Sequence, residues 1–313
     1  MRYIDELRDG EHLTEFYFCK QKQTLKTKAG KSYYSIKLQD KTGIIDAKVW
    51  DINREIQSFE ENNYVKIQGD VVTHQNNLQI KIGRLRVADE GEYDPKDYIP
   101  STDKDVDELY KTLINYINSF TNEYLKELLT NIYTKREDIT SAIKTHSAAK
   151  SMHHNYMGGL IEHTTNIVEI CDFLANKYTN IDRDLLLSSA MLHDIGKIYE
   201  LSEFPFNDYT DDGQLLGHIV MGTELITEEA NKIQDFPHQL MSLLKHCILS
   251  HHGEYEYGSP KLPQILEALF LNMADNIDAK SKIYEDAILN DKTSGNWVGY
   301  NRMLERNIRK TNY

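Results

Sequence analysis

Up to about residue 90, apolar positions recur every second residue in short runs, at about 14–22, 32–39, 44–50, 64–72 and 78–87. Turn residues separate them, at Ala29-Gly30, at 40–43 (D-K-T-G) and at 75–77 (Q-N-N). A period of two with this punctuation predicts β-strands, and five strands in so short a stretch predict a small closed barrel rather than a sandwich. Alternation assigns the faces. Tyr34, Ile36 and Leu38, with Ile45, Ala47 and Val49, point to one side and predict a core; Tyr33, Ser35 and Lys37, with Asp46, Lys48 and Trp50, point to the other. A short helix at 52–59 is expected to interrupt the strands.

Beyond Thr102 the period becomes that of a helix. Val106, Leu109, Leu113, Ile114 and Ile117 form one apolar stripe, with a capping-box variant expected at Thr102–Asp105. Further helices are predicted at about 123–133, 137–145, 160–178, 183–193, 216–233, 237–252 and 263–289, so the region 103–313 is expected to be all-α. Between the two parts, residues 91–102 read as an extended acidic linker punctuated by Gly91, Pro95 and Pro100. The fold class is therefore multidomain, a β-barrel domain at 1–90 followed by a helical domain.

Composition is ordinary for a soluble chain of 313 residues, 40% hydrophobic and 27% charged. The start of the chain lacks a leader-like apolar run, and no stretch approaches a membrane span, so a cytoplasmic protein with no membrane partner is expected. Cys19, Cys171 and Cys247 are widely spaced and suggest neither a disulfide framework nor a zinc knuckle. The net charge of −13 argues against coating nucleic acid by bulk electrostatics. The charge is uneven, however. Residues 1–90 hold 15 basic and 14 acidic residues, whereas 91–313 hold 21 and 35, a balance of −14. Six lysines lie between His12 and Gln39 against the single acid Glu15. Cations beside Tyr33 and Trp50 suit a single-stranded nucleic-acid groove, where bases stack and backbone charge is neutralised; the same residues also suit a domain contact with a solvated edge.

Candidate chemistry concentrates in the helical part. The run S-S-A-M-L-H-D-I-G-K-I places His193 and Asp194 together at the end of an apolar helix, with Lys197 just beyond. Imidazole and carboxylate together suit a borderline metal, and a lysine suits a phosphate. His163 follows the pair Gly158-Gly159, His218 stands in G-Q-L-L-G-H-I, His251 and His252 end an apolar helix, and Asp275 and Asp278 interrupt an apolar helix face. A carboxylate on such a face is costly unless paired or ligated. Taken together, the set predicts a metal centre.

The stretch YYSIKLQDKTGIIDAKVWD resembles nucleic-acid-binding OB-folds of the tRNA-anticodon-binding type. The order His163, His193-Asp194, His218, His251-His252, Asp275 resembles the HD-domain metal-dependent phosphohydrolases over about 150–285. That resemblance implies one ion held by His163, His193, Asp194 and Asp275, and a second held by Asp194, His218 and His251. His252 and Asp278 stand as weaker ligand candidates. Water attack across two metals would follow, with Asp194 and Lys197 in catalytic roles. An OB-fold ahead of an HD domain, with A-A-K-S-M-H-H-N-Y-M-G-G-L-I-E-H-T at its entrance, resembles the YhaM-type 3′-to-5′ exoribonucleases of Gram-positive bacteria. This implies hydrolysis of single-stranded RNA, and single-stranded DNA as well, to nucleoside 5′-monophosphates. Mn²⁺ is the foremost metal, with Co²⁺, Fe²⁺ and Mg²⁺ as alternatives. His153, His154, Lys197, Tyr33, Lys37, Lys48 and Trp50 are the candidate strand contacts, with a role for the two histidines in fixing the glycine turn left open. The alternative is an HD phosphodiesterase acting on a small nucleotide or cyclic dinucleotide. Apolar helical stripes suggest a homo-oligomer. The aromatic loop 200–213 reads equally as a lid or a plain connection, and the basic tail from Asn301 as a contact for nucleic acid or another subunit.

Overall fold

A computed structural model describes residues 1–74, 77–150, 154–291 and 293–311. The chain divides into two compact units, one of Met1–Ser101 with Phe204–Phe206, the other of Thr102–Glu203 with Asn207–Tyr313.

In the first unit, β1 (His12–Lys26), β2 (Ser32–Asp40), β3 (Gly43–Val49), β4 (Tyr64–His74) and β5 (Asn77–Val87) close into a barrel in the order β1-β2-β3-β5-β4. This is the expected five-stranded OB-fold barrel. β3 and β5 run parallel and the other pairs antiparallel. Closure follows from the alternation, because Ile36, Leu38, Ile45, Ala47, Val49, Ile67 and Ile80 all turn into one core. The D-K-T-G turn is held by the buried Asp40 carboxylate, which accepts from the backbone nitrogens of Ile4 (2.6 Å), Thr42 (2.7 Å) and Gly43 (3.2 Å). At the β4 bulge a Cβ on Gly69 would stand 2.4 Å from Lys81 O, so only glycine lets β5 approach there.

The helix expected at 52–59 does not form. Gln57 N donates to Leu85 O and Leu85 N to Glu55 O, so this backbone is spent on β5, while Ile56 and Phe59 are drawn into the barrel core. Burial of those two side chains outweighs a weak local preference for helix.

The second unit contains α1 (Val106–Asn118), α2 (Glu123–Thr130), α3 (Glu137–Thr145), α4 (Gly159–Lys177), α5 (Arg183–Leu192), α6 (Lys197–Glu200), α7 (Asp211–Leu215), α8 (Gly217–Ala230), α9 (His238–Ser250) and α10 (Leu266–Leu289). Asp105 caps α1, accepting from Asp107 N and Glu108 N. The expected cap at Thr102 is instead spent elsewhere, since its hydroxyl accepts from Lys104 N and donates to Glu162 at 2.6 Å. α4 and α5 are buried along most of their length and form the centre of the core. The unit is not all-α. β6 (Trp297–Asn301) and β7 (Arg306–Arg309) make a hairpin whose turn is set by Asn301 Oδ1, which accepts from Met303 N and Leu304 N. The three cysteines are buried and unbridged. Among the described residues no helix is long and apolar enough to cross a membrane.

Candidate metal centre and nucleic-acid face

Five elements of the second unit deliver the predicted ligand side chains to one place. His193 ends α5 with Asp194 beside it, His163 lies on the second turn of α4, His218 on the first turn of α8, His251 ends α9, and Asp275 sits on α10. Asp194 is the centre. Its Oδ2 lies 3.3 Å from His193 Nε2 and 3.4 Å from His163 Nε2, and its Oδ1 lies 3.5 Å from His218 Nε2 and 3.8 Å from His251 Nε2. His163 Nε2 is also 3.4 Å from Asp275 Oδ1 and 3.4 Å from His193 Nε2.

The other nitrogen of each ring is already engaged. His193 Nδ1 donates to Ala190 O (2.8 Å), His251 Nδ1 to Ile248 O (2.7 Å), His252 Nδ1 to Tyr257 O (2.8 Å), His218 Nδ1 to Glu200 (3.0 Å) and His163 Nδ1 to Asp278 (2.7 Å). A proton fixed on Nδ1 leaves the Nε2 lone pair bare and aimed inward. Asp194 Oδ1, His218 Nε2 and His251 Nε2 are buried and, among the described residues, have no hydrogen-bond partner. Orphaned buried acceptors are costly, and a cation satisfies all three at once. Donor atoms about 2.1 Å from a shared ion stand roughly 3.0–3.4 Å apart, close to the spacings around Asp194. His163, His193 and Asp275 form one group able to hold an ion, and His218, His251 and His252 another.

Electrostatics agree with that chemistry. Burial pulls His163 down, but hydrogen bonding to Asp194, Asp275 and Asp278 overcomes it and holds the imidazole well above the usual histidine range. A positive charge is therefore wanted at this point. Burial, with His252 and His193 nearby, pushes His251 well below that range, which favours the neutral imidazole that a metal would require. Asp194 and Asp275 resist the upward push of burial and stay ionised, Asp194 through Lys197 and His193 and Asp275 through His163. Lys197 donates to Asp194 Oδ2 at 2.6 Å and lines, with His163, Asp194, His252, Tyr257, Asp275, Asn276 and Ala279, a cavity of about 320 Å³.

Asp278 contacts His163 from the side away from Asp194, and His154, His163 and Asp278 form a third group able to hold an ion. Its Oδ2 accepts from His163 Nδ1 and faces His154 Nε2 at 2.9 Å, and its Oδ1 accepts from Asn166 (2.7 Å). His154, expected as a strand contact, is only 2% exposed and bonds Asp278 and Tyr156 through its ring, so it supports His163 from inside. A Cβ on Gly159 would stand 2.1 Å from His154 O, which ties that histidine to the glycine pair. His153 lies outside the described residues. In the aromatic loop Phe206 and Tyr209 are exposed, with Lys150 over the Tyr209 ring.

Glu200 was not foreseen. Its Oε1 accepts from both the backbone nitrogen and Nδ1 of His218, at 3.0 Å each. Its position seven residues after His193 was the only available signal. A Cβ on Gly196 would stand 2.0 Å from His218 O, so the bareness of this residue lets α8 approach the His-Asp turn.

On the barrel, the outward face of β2 and β3 carries the other predicted residues. Tyr33 and Trp50 stack with ring centroids 4.6 Å apart, and Trp50 is 41% exposed. Register pairs Ser35 with Lys48 and Lys37 with Asp46, and Lys48 Nζ donates to Ser35 Oγ at 2.5 Å. The parallel β3–β5 pairing brings Lys81 beside Lys48, a cation that no local pattern announced.

Two stretches of the chain match known families. Residues 160–280 match the HD domain family, and residues 20–88 match the OB-fold nucleic acid binding domain family. Among solved structures, 29% of this chain is similar to the second OB-fold domain of replication protein A from Methanococcus maripaludis, at 18% identity over 98% of that chain with a TM-score of 0.24. A replication protein A heterotrimer bound to ssDNA is similar over 28% of this chain and 64% of that one, at 22% identity with a TM-score of 0.22. The protein thus joins an OB-fold nucleic-acid-binding domain to an HD domain of the metal-dependent phosphohydrolase class.

Proposed function

We propose that this chain is a metal-dependent exoribonuclease that removes nucleotides from the 3′ end of single-stranded RNA, and of single-stranded DNA, releasing nucleoside 5′-monophosphates. One observation carries the reading: bare Nε2 and carboxylate atoms converge on Asp194 in a chain that also presents, among lysines, an exposed Trp50 stacked on a half-buried Tyr33. The 3′-to-5′ polarity rests on the resemblance to the YhaM-type enzymes.

His163, His193, Asp194 and Asp275 would hold one divalent ion, and Asp194 with His218 and His251, aided by His252, a second. Such ions supply an activated water and neutralise charge on the leaving oxygen. Lys197, already beside Asp194 and facing the cavity, offers its ammonium to a non-bridging phosphate oxygen. Glu200 and Asp278 keep His218 and His163 in the tautomer that presents Nε2. Tyr33 and Trp50 hold bases by their faces while Lys37, Lys48 and Lys81 neutralise the backbone.

The test is to incubate metal-stripped protein with 5′-labelled single-stranded RNA, with and without Mn²⁺, beside Asp194→Ala. The expected result is a ladder shortening from the 3′ end only with metal, absent in Asp194→Ala although that variant still binds the strand. Intact RNA in every lane with hydrolysis of cyclic dinucleotides would instead establish the small-substrate phosphodiesterase.

A further inference from the structure

The C-terminal hairpin lies beyond the residues matched by either family and, among the described residues, contributes nothing to the groups able to hold an ion. Ile308 is 1% exposed and, with Leu304, is buried beneath the hairpin, which packs against α10. Residues paired across an antiparallel ladder share a face. Register sets Trp297 opposite Arg309 and Tyr300 opposite Asn307, and all four are exposed, Trp297 at 61% and Tyr300 at 63%. Arg302 is also exposed, at the turn. From Asn296 onward the chain carries Arg302, Arg306, Arg309 and Lys310 against Glu305 alone, a balance of +3 in a region, 91–313, whose balance is −14. Lys310 is spent on Asp291 at 2.8 Å, whereas Arg302, Arg306 and Arg309 make no ion pair among the described residues.

We infer that this hairpin is a second binding element for single-stranded nucleic acid, with bases stacking on Trp297 and Tyr300 and phosphates meeting Arg302 and Arg309. The inference rests on the proposed function, which requires a polyanion to be held at an acidic helical unit. Charge complementarity selects the occupant. The surrounding unit repels a phosphate backbone, and this local reversal of sign, bearing two exposed rings, attracts one. Both tryptophans of the chain are then used alike, since Trp50 is also exposed in an aromatic pair beside cations.

The experiment uses the full chain carrying Asp194→Ala, so that the strand survives, and a 5′-fluorescein-labelled single-stranded RNA of about 20 nucleotides followed by anisotropy from low to high salt. Trp297→Ala/Tyr300→Ala is expected to weaken binding roughly tenfold or more. Arg302→Gln/Arg309→Gln, which spares the turn and the core, is expected to flatten the slope of log K against log salt by about 1.4. Unchanged affinity and slope in both variants, on a parent that binds, would overturn the hairpin assignment alone. So would unchanged strand affinity with a loss of oligomer mass by light scattering, which would make the face a contact between copies. Failure of the parent chain, with Asp194 intact, to cleave the same RNA would sink the proposed function instead.

Discussion

Glu200 and Asp278 buttress different imidazoles, and this separates the two halves of the centre experimentally. Glu200→Gln keeps the side-chain size but removes the charge that fixes the His218 Nδ1 proton, where one oxygen now serves two donors at 3.0 Å each. Asp278→Asn is harsher, because both carboxylate oxygens are in use and the new amide must set its own N–H groups against His163, His154 or Asn166. Loss of such supporting partners costs about 10–100-fold in metal affinity; Glu200→Gln is expected near the lower figure and Asp278→Asn near the higher. At a metal concentration of about 100 times the parent Kd, an ion contributes about 2.7 kcal/mol of stability, which falls to about 1.4 kcal/mol after a tenfold loss and about 0.4 after a hundredfold loss. Calorimetric titration of Mn²⁺ into metal-stripped protein should show Glu200→Gln weakening one binding phase and Asp278→Asn the other, with the double variant weakening both. A common phase moved by both variants would refute the division into a His163 group and a His218 group.

Gly196→Ala would thrust a methyl to 2.0 Å from His218 O and 2.7 Å from Gly222 N, so α8 must shift; a loss of about 1–3 kcal/mol in urea denaturation is expected, together with weakened binding in the Glu200-dependent phase. Trp50→Ala and Tyr33→Ala should each lower strand affinity about fivefold or more while leaving hydrolysis of a small phosphodiester ester unchanged, and equal losses on both substrates would count against a barrel role. Asp138 is drawn down to about 2 by its hydrogen bond to Arg136. A lowered carboxyl stabilises the fold above its unfolded value near 3.9 and ceases to as pH falls through about 2. Asp138→Asn should therefore be destabilising at pH 6 and neutral at pH 2, and a constant difference across that range would disprove the coupling.

The barrel was legible because each strand satisfies its own alternation, and Ile36, Leu38, Ala47 and Val49 are buried as their period requires. Segment 52–59 was not, since its backbone answers to Leu85 on a distant strand, a contact that no window of local sequence contains. The candidate ligand side chains were visible as residue types placed where such types are expensive, and the structure brings His163, His193, Asp194, His218, His251 and Asp275 together. Their supports were mostly invisible. Glu200 looked like any acid at a helix end, and the burial of His154 behind Asp278 depends on a helix more than a hundred residues away. The hairpin escaped notice because its bulged, five-residue and four-residue strands are too short to display a period.

His193 is the C-cap of α5 and His251 the C-cap of α9. Two helices therefore direct the negative ends of their dipoles at the same point, each equivalent to roughly half an electron charge. That field exists in the backbone before any side chain is counted, and the carboxylates of Asp194 and Asp275 add to it. A phosphate approaching this pole meets that negative field, which the Lys197 ammonium offsets in part and bound cations would offset further. On the proposed function, metal would therefore enter the centre before a phosphate of the strand is drawn into it, while the barrel could hold the strand without metal.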